Sequence, residues 1–150
     1  MIFLKLLFGI LFLLILSSCQ SNIATGNRQF ILMSPSEEKE VGESQHPIII
    51  KQFGGEYNDE ELSKYISSLG NLLKSTSEMP DIKWTFTILD SPVVNAFALP
   101  GGYVYITRGL LCLANSEAEL ASVLGHEIGH VTARHSAQRH AKSTLTGIGL

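Results

Sequence analysis

The sequence is short of positive charge, of internal repeats and of long apolar runs, and each shortage narrows the class of protein. Its 11 basic and 14 acidic side chains give a net charge of −3, so nothing electrostatic indicates a nucleic-acid partner. A single long apolar run excludes a membrane protein with several spans. Hydrophobic residues still make up 45% of the 150 residues, which excludes a disordered chain and leaves one globular domain.

The one long apolar run opens the chain and resembles a bacterial export signal, with its positive charge at Lys5. The segment Leu16-Ser17-Ser18-Cys19 then resembles the lipobox of bacterial lipoproteins, whose cysteine sulfur receives a lipid before the leader is removed. An uncleaved transmembrane anchor is the alternative, but the apolar run is short for crossing a bilayer. We therefore expect residues 1–18 to be a lipoprotein signal peptide and residues 19–34 to be a lipidated cysteine with its tether.

The residues around the two cysteines indicate where the protein is located in the cell and whether a cysteine is chemically active. Gln20, rather than an aspartate, follows Cys19, which resembles lipoproteins sorted to the outer membrane of a Gram-negative cell. With Cys19 lipidated, Cys112 has no partner in the chain. Because Cys112 lies in the apolar stretch 110–113, we expect a buried thiol that acts as a small hydrophobic side chain, not a catalytic cysteine.

Helical patterns follow the tether. Ser36-Glu37-Glu38-Lys39 resembles a helix start, and the acidic side chains around it are expected on a solvated face, with His46 at the surface. A second helix is predicted after Asn58 or Asp59. Its expected core residues repeat at helical spacing: Leu62, Tyr65, Ile66, Leu69, Leu72 and Leu73.

The period then changes to that of strands. Trp84, Phe86 and Ile88 alternate with Thr85, Thr87 and Leu89, which predicts a half-buried strand. Residues 93–99 and 103–107 are two more strand-like runs, and the Pro-Gly-Gly sequence between them predicts a turn that folds them into an antiparallel hairpin.

The last predicted helix carries the chemistry. Ser116 and Glu119 form a capping-box pattern, and nothing in the sequence breaks the helix before about His140. Gly125 and Gly129 inside it suggest that another backbone packs closely there, although simple tolerance of glycine is the alternative. One apolar stripe is predicted to face the core: Leu120, Val123, Leu124, Ile128 and Val131.

Within that helix, residues 126–130 match the pattern HExxH. His126 and His130 point the same way one turn apart, so both imidazoles can hold one zinc ion at about 2.0–2.1 Å. Glu127 is turned aside from them, where a general base for a zinc-activated water should lie. The alternative is that the two histidines are ordinary surface residues. That alternative does not explain why a glutamate follows His126 within a capped amphipathic helix.

Two more histidines follow in the same predicted helix. His135 would lie on the opposite side from His126, and His140 nearly three turns beyond it. We expect both to belong to a basic end of the helix that suits the helix dipole.

Several motifs together resemble the metallopeptidase family that includes the CAAX prenyl protease and HtpX. They are the run from Asn95 to Ile106, the run from Glu117 to Ala121, and HExxH followed by Ala133-Arg134-His135. The resemblance spans roughly residues 24 to 140, and the nearest branch is that of exported bacterial members similar to the beta-barrel assembly-enhancing protease.

The resemblance implies a zincin-like α+β fold, with N-terminal helices, a small antiparallel sheet with a hairpin, and the HExxH helix. Residues 35–150 would be the N-terminal portion of a metallopeptidase domain that holds one Zn²⁺ per chain. It also implies that Asn95, Ala96 and Phe97 lie beside the cleft and bind an extended substrate by strand addition. Asn95 and Phe97 could equally be hairpin and core residues only.

The third zinc ligand of the family is a glutamate on a later helix, which we expect beyond Leu150. A metzincin arrangement fails, because it needs glycine at 133 and histidine at 136, where Ala133 and Ser136 stand. Since catalytic zinc normally has three protein ligands, the sequence is interpreted as a truncated form of a longer protease with weak zinc affinity and little hydrolysis by itself.

The leading hypothesis is a zinc metalloendopeptidase of the bacterial envelope that cleaves misfolded or unassembled proteins, with Glu127 as general base. It predicts peptide or protein substrates, a membrane anchor at Cys19, envelope-assembly partners and an outer-membrane location facing the periplasm. The alternative is an inactive or truncated lipoprotein paralogue that binds clients without cleaving them. A structural-zinc or metal-carrier lipoprotein would need four closed ligands, for which the sequence offers no set.

Overall fold

The computed structural model describes residues 19–22, 24, 26 and 28–147. The predicted signal peptide, residues 1–18, therefore lies outside the described residues. Among the residues that are described, no helix combines the length and the apolarity needed to cross a membrane.

The described residues form an α+β fold, as predicted. In chain order the elements are β1 (Cys19–Ser21), β2 (Arg28–Phe30), α1 (Pro35–Gln52), α2 (Glu60–Lys74), β3 (Thr85–Leu89), β4 (Ala96–Leu99), β5 (Tyr103–Thr107), α3 (Arg108–Leu111), α4 (Glu117–Thr132) and α5 (His135–Gly147). The first two strands pair antiparallel as a separate ribbon, and the other three form the central sheet.

The central sheet has the order β3-β5-β4. The predicted hairpin is confirmed, because β4 and β5 pair antiparallel, with Leu99 opposite Tyr103. Gly101 and Gly102 turn the chain between them with φ values of +80° and +92°, which suit glycine. The expectation that the whole sheet is antiparallel is wrong, however, since β3 and β5 are parallel. The strand β5 lies between β3 and β4. Because β4 runs opposite to β3, the hairpin returns β5 in the same direction as β3.

Helices cover both faces of this sheet. On one face α2 and α4 bury a cluster of apolar side chains: Ile66, Leu69, Ile88, Val104, Ile106, Leu120 and Leu124. On the other face α1 covers Leu89, Tyr103 and Tyr105 with its C-terminal apolar residues. The result is a three-layer arrangement in which β4 is an edge strand, without a strand partner on its outer side among the described residues.

The helix starts follow from their capping residues. Ser34 caps α1: its hydroxyl accepts from the Glu37 backbone N–H, and the Glu37 carboxylate accepts from the Ser34 N–H at 2.6 Å. The helix therefore starts earlier than the predicted start at Ser36. Asp59, one of the two predicted caps, accepts from the Leu62 N–H at 2.9 Å at the start of α2.

Some predicted core positions prove to be exposed. In α2, Ile66 and Leu69 are buried, but Tyr65 and Leu72 are 38% and 67% exposed. The helix packs on one side only, so its apolar stripe is wider than the face that the sheet covers. Cys112 is exposed, contrary to prediction, because α3 makes a single turn and points Leu110 and Leu111 to the core instead.

The expected strand at residues 93–99 is shorter than predicted and starts at Ala96. One backbone bond of the ladder persists there, because the Thr107 N–H donates to the Asn95 carbonyl at 3.0 Å. The buried Thr107 hydroxyl takes the place of the other ladder partner: it accepts from the Asn95 N–H at 3.1 Å and lies 2.9 Å from the Asn95 carbonyl oxygen. Asn95 is thus fixed next to the end of β5 by a side chain.

Contrary to the expectation, His46 does not lie at the surface. Its Nδ1 lies 2.7 Å from the Tyr105 hydroxyl, and its ring centroid lies 4.8 Å from that of Tyr103. The half-buried imidazole therefore belongs to the contact between α1 and the sheet, outside the HExxH region.

The predicted long final helix breaks into two, which corrects the expectation of an unbroken helix to His140. α4 ends at Thr132, Arg134 has a left-handed φ of +53°, and α5 starts at His135. Such a conformation costs a non-glycine residue about 1–3 kcal/mol, so contacts must hold it. The Arg134 guanidinium donates to the Glu38 carboxylate at 3.0 Å and to the Met33 carbonyl at 2.7 Å.

Two more hydrogen bonds hold the same turn. The Ala133 carbonyl accepts from the buried Asn22 side chain and from Gln138, both at 2.7 Å. Glu38 is buried as well, so the expectation that all acidic residues near the start of α1 face solvent is wrong for this one. The segment before α1 and the first turn of α1 are therefore fastened to the turn between α4 and α5, which we call the 133–135 turn.

The glycines of α4 also depart from expectation. A Cβ atom added at Gly125 or Gly129 would have no neighbour within 4 Å among the described residues, so no backbone packs against them there. Gly42 in α1 is different, because a Cβ there would collide with the Pro100 carbonyl oxygen and the Tyr103 ring.

These two environments make a matched pair of substitutions. Gly42→Ala is expected to lower the free energy of unfolding by about 1–3 kcal/mol, because the hairpin backbone must move. Gly125→Ala brings the same gain in helix propensity without a clash, so it is expected to raise the free energy of unfolding by up to about 1 kcal/mol. Urea denaturation measures both, and equal effects of the two changes would contradict the packing of α1 on the hairpin.

Candidate metal centre

α4 presents the HExxH residues because its other side is fixed in the core. Leu120, Leu124 and Ile128 are buried, as predicted, which sets the rotation of the helix about its axis. Ser116 caps the helix and accepts from the Glu119 N–H at 3.3 Å. The Glu119 carboxylate accepts from the Asn115 N–H at 2.7 Å, one residue before the cap, so the predicted capping box is shifted on that side.

The structure brings His126, Glu127 and His130 together. Each offers one ligand atom, and these three atoms lie within 4.8 Å of one another. The two imidazole centroids are 4.5 Å apart, with the ring planes at 69°. His126 is exposed and His130 half-buried, whereas Glu127 is only 6% exposed. Helical spacing therefore places the three side chains as the sequence predicted, while their chemical roles stay predictions.

The electrostatics of the group suit a metal site. Burial raises the pKa of the Glu127 carboxyl, and the nearby His126 opposes this shift. No side chain in the described part of the chain donates a hydrogen bond to that carboxylate. Burial, His126 and Arg139 all lower the pKa of His130, which favours the neutral imidazole that binds metals. A carboxylate whose pKa is raised thus stands beside two imidazoles that could act as nitrogen ligands.

The donor set fits zinc in kind but not in number. Two imidazoles are typical ligands of catalytic zinc, which normally has a third protein ligand and one open position. Among the described residues, no further histidine, cysteine or carboxylate joins the group of His126, Glu127 and His130. The predicted third ligand, a glutamate beyond Leu150, lies outside the sequence.

His135 was missed by the sequence analysis. Its Nδ1 lies 2.6 Å from Nδ1 of His130, and the two ring centroids are 4.9 Å apart. A continuous helix would have carried His135 to the far side. The left-handed Arg134 turns the chain back instead, and helical periodicity carries no signal of that turn. His140 stays exposed on α5, in line with the predicted basic end.

The predicted substrate residues lie at the start of the edge strand, beside α4. The Ala96 side chain packs on the core cluster that α4 shares, whereas the Phe97 ring stacks on Tyr105 at 4.9 Å on the opposite face of the sheet. Asn95 is exposed and held by Thr107. Only the backbone edge of these residues and the small Ala96 thus lie on the metal side, and their role in binding stays a prediction.

A cavity of about 250 Å³ adjoins the metal group at His130. Its wall combines the end of β4, the hairpin turn and the 133–135 turn, and it includes Leu99, Pro100, Val131 and Arg134. The second histidine of the motif thus stands at the boundary between α4 and this partly apolar cavity.

Together these features define a class of protein: an α+β metallopeptidase domain whose HExxH helix lies beside an edge strand. The chain belongs to Peptidase family M48, whose family model matches residues 60–148. This range includes α2, the central sheet, α4 and α5, and it confirms the family resemblance that the sequence motifs indicated.

Individual metallopeptidases are also similar in sequence to this chain. The mitochondrial metalloendopeptidase OMA1 of Schizosaccharomyces pombe is 33% identical over 121 residues, which cover 78% of this chain and 35% of that protein. A putative beta-barrel assembly-enhancing protease of Vibrio cholerae is 46% identical over 81 residues, 54% of this chain and 17% of that protein. The beta-barrel assembly-enhancing protease of Escherichia coli is 38% identical over 96 residues, 61% of this chain and 20% of that protein. The chain thus spans about a third or less of these relatives.

The ligand assignment predicts the effect of removing either imidazole. His126→Ala and His130→Ala in the full-length protein are each expected to reduce bound zinc from about one ion per chain to nearly none, since too few ligands would remain. Elemental analysis after dialysis measures the content. His140→Ala is the control and should keep its zinc; normal zinc in His126→Ala would refute the assignment.

Proposed function

We propose that the chain forms the metal-binding portion of a zinc metalloendopeptidase of the bacterial envelope. The observation that carries the proposal is the buried Glu127 carboxylate, free of hydrogen bonds from the described side chains, beside the imidazoles of His126 and His130. A structural zinc site would instead close its coordination with a fourth ligand. The relatives named as metalloendopeptidases support the same activity.

The side chains divide the work of peptide hydrolysis. His126 and His130 would hold the ion, which supplies Lewis-acid chemistry when bound by making water more acidic and a peptide carbonyl more electrophilic. Glu127 takes the proton of the attacking water on a carboxylate oxygen. The same carboxyl then gives the proton to the leaving amine.

The edge strand β4 is proposed to bind the substrate backbone. Its outer edge has no strand partner among the described residues. Backbone groups of an antiparallel strand alternate between its two edges, and those of Asn95 face β5, so the N–H and C=O groups of Ala96 and Ala98 are available for an added strand. Main-chain pairing gives affinity with little demand on sequence. That suits misfolded or unassembled envelope proteins as substrates, in keeping with the relatives named for beta-barrel assembly.

We further propose that Cys19 carries the lipid that anchors the protein to the outer membrane, facing the periplasm. Asn22, three residues later, is buried and bonded to the Ala133 carbonyl at the end of the metal-binding helix. Three residues span at most about 10–11 Å, so the acyl chains would hold the metal site close to the membrane surface. Polypeptides near that surface are then the natural substrates.

A second candidate function is that of a client-binding lipoprotein without hydrolysis. The observation that favours it is the edge strand β4, whose outer side has no strand partner among the described residues and can bind an extended chain without any metal. In that case β4 would still add a substrate strand, and only the chemistry would be missing.

Glu127→Gln separates the two candidates. In the full-length protein without its leader, this change is expected to keep the zinc and lower kcat for casein cleavage by about 10²–10⁴-fold, because the general base is lost. Glu61→Gln, an exposed glutamate of α2, is the matched control and should cleave normally. Chelator-resistant cleavage, or full activity of Glu127→Gln, would contradict the mechanism, and zinc-loaded wild-type protein that never cleaves would favour the client-binding function.

The anchor has its own test. Cys19→Ser should abolish incorporation of a labelled fatty acid, because the sulfur that receives the lipid is gone. Cys112→Ser, which removes the other cysteine, should be lipidated normally. Unchanged labelling of Cys19→Ser would show that the lipid is absent from Cys19.

A further inference from the structure

We propose that His135 is a positioning residue for the metal ligand His130, with its Nδ1 accepting the proton that His130 carries on Nδ1. The inference rests on the proposed metal site. It adds a residue that holds no metal itself but determines how a ligand presents its nitrogen.

The short distance between the two rings is that of a shared proton. Two nitrogens bound to one zinc at about 2.0–2.1 Å, with tetrahedral angles, lie roughly 3.3–3.4 Å apart. The Nδ1 atoms of His130 and His135 are 2.6 Å apart, too close for two ligands of one ion. Since neither nitrogen can donate and accept at once, one ring supplies the N–H and the other its lone pair.

The direction of that hydrogen bond decides whether His130 can bind metal. A neutral imidazole carries one N–H, so a proton on Nδ1 of His130 leaves Nε2 free as a ligand. In the opposite direction, His135 would donate, and the His130 proton would sit on Nε2 and block it. The state competent for metal is therefore the one in which His135 accepts.

The fold holds His135 in this place from outside the metal site. Arg134 keeps its left-handed conformation through the Glu38 carboxylate and the Met33 carbonyl, and Asn22 fastens the Ala133 carbonyl. The 133–135 turn is thus clamped by the segment before α1 and by α1 itself. Partners of this kind orient metal-binding histidines and raise their basicity, and their loss typically weakens metal affinity.

Zinc affinity provides the first test. In the full-length protein, His135→Ala is expected to weaken zinc binding by about 10–100-fold, measured by competition with a chelating dye. His135→Asn, whose side-chain carbonyl can accept the same proton, should recover much of the loss. His140→Ala, on the same helix but exposed, should bind zinc as the wild type does. Unchanged affinity in His135→Ala would overturn the proposal.

The tautomer of His130 gives a second readout that needs neither zinc nor activity. In metal-free protein, nitrogen NMR should show the His130 proton on Nδ1, and in His135→Ala a shift of the population towards Nε2. A His130 proton on Nε2 in the wild type would overturn the proposal even if zinc binds. If no variant, the wild type included, binds zinc, the proposed function fails, and the NMR result still decides the hydrogen bond.

Discussion

The rest of the site depends on the packing of α4 against the sheet and α2. Leu120, Leu124 and Ile128 occupy one side of the helix and are buried, so the helix cannot rotate without exposing apolar surface. With that rotation fixed, the 3.6-residue repeat delivers His126 and His130 to the same place and Glu127 beside them. The hydrophobic contact thus determines the direction in which the polar residues point.

A second constraint acts at the end of the same helix. The 133–135 turn is held by buried polar contacts from Asn22, Met33 and Glu38, which come from the start of the described chain. Residues about a hundred positions apart therefore meet behind the second histidine of the motif. The Glu38–Arg134 ion pair has side chains only 9% and 12% exposed, so water weakens it little. The N-terminal segment is in this way part of the support of the proposed metal site.

Periodicity and capping predicted most of what is local. The caps at Asp59 and Ser116, the hairpin around Gly101 and the grouping of the HExxH side chains depend on neighbours in sequence, and each is found. The misses depend on distant partners. Arg134 leaves the helix because Glu38 and Met33 hold it, His135 therefore returns to His130, and β5 pairs with β3 because the hairpin inserts it there. No spacing in the sequence encodes such contacts.

We propose that two imidazoles of α4, those of His126 and His130, share one zinc ion. X-ray absorption spectroscopy of the zinc-loaded, full-length protein tests it most directly, because it reports the ligands of the ion itself. We expect two imidazole nitrogens among the atoms bound to zinc, at zinc–nitrogen distances of about 2.0–2.1 Å. A first shell without imidazole, or protein that retains no zinc, would contradict it.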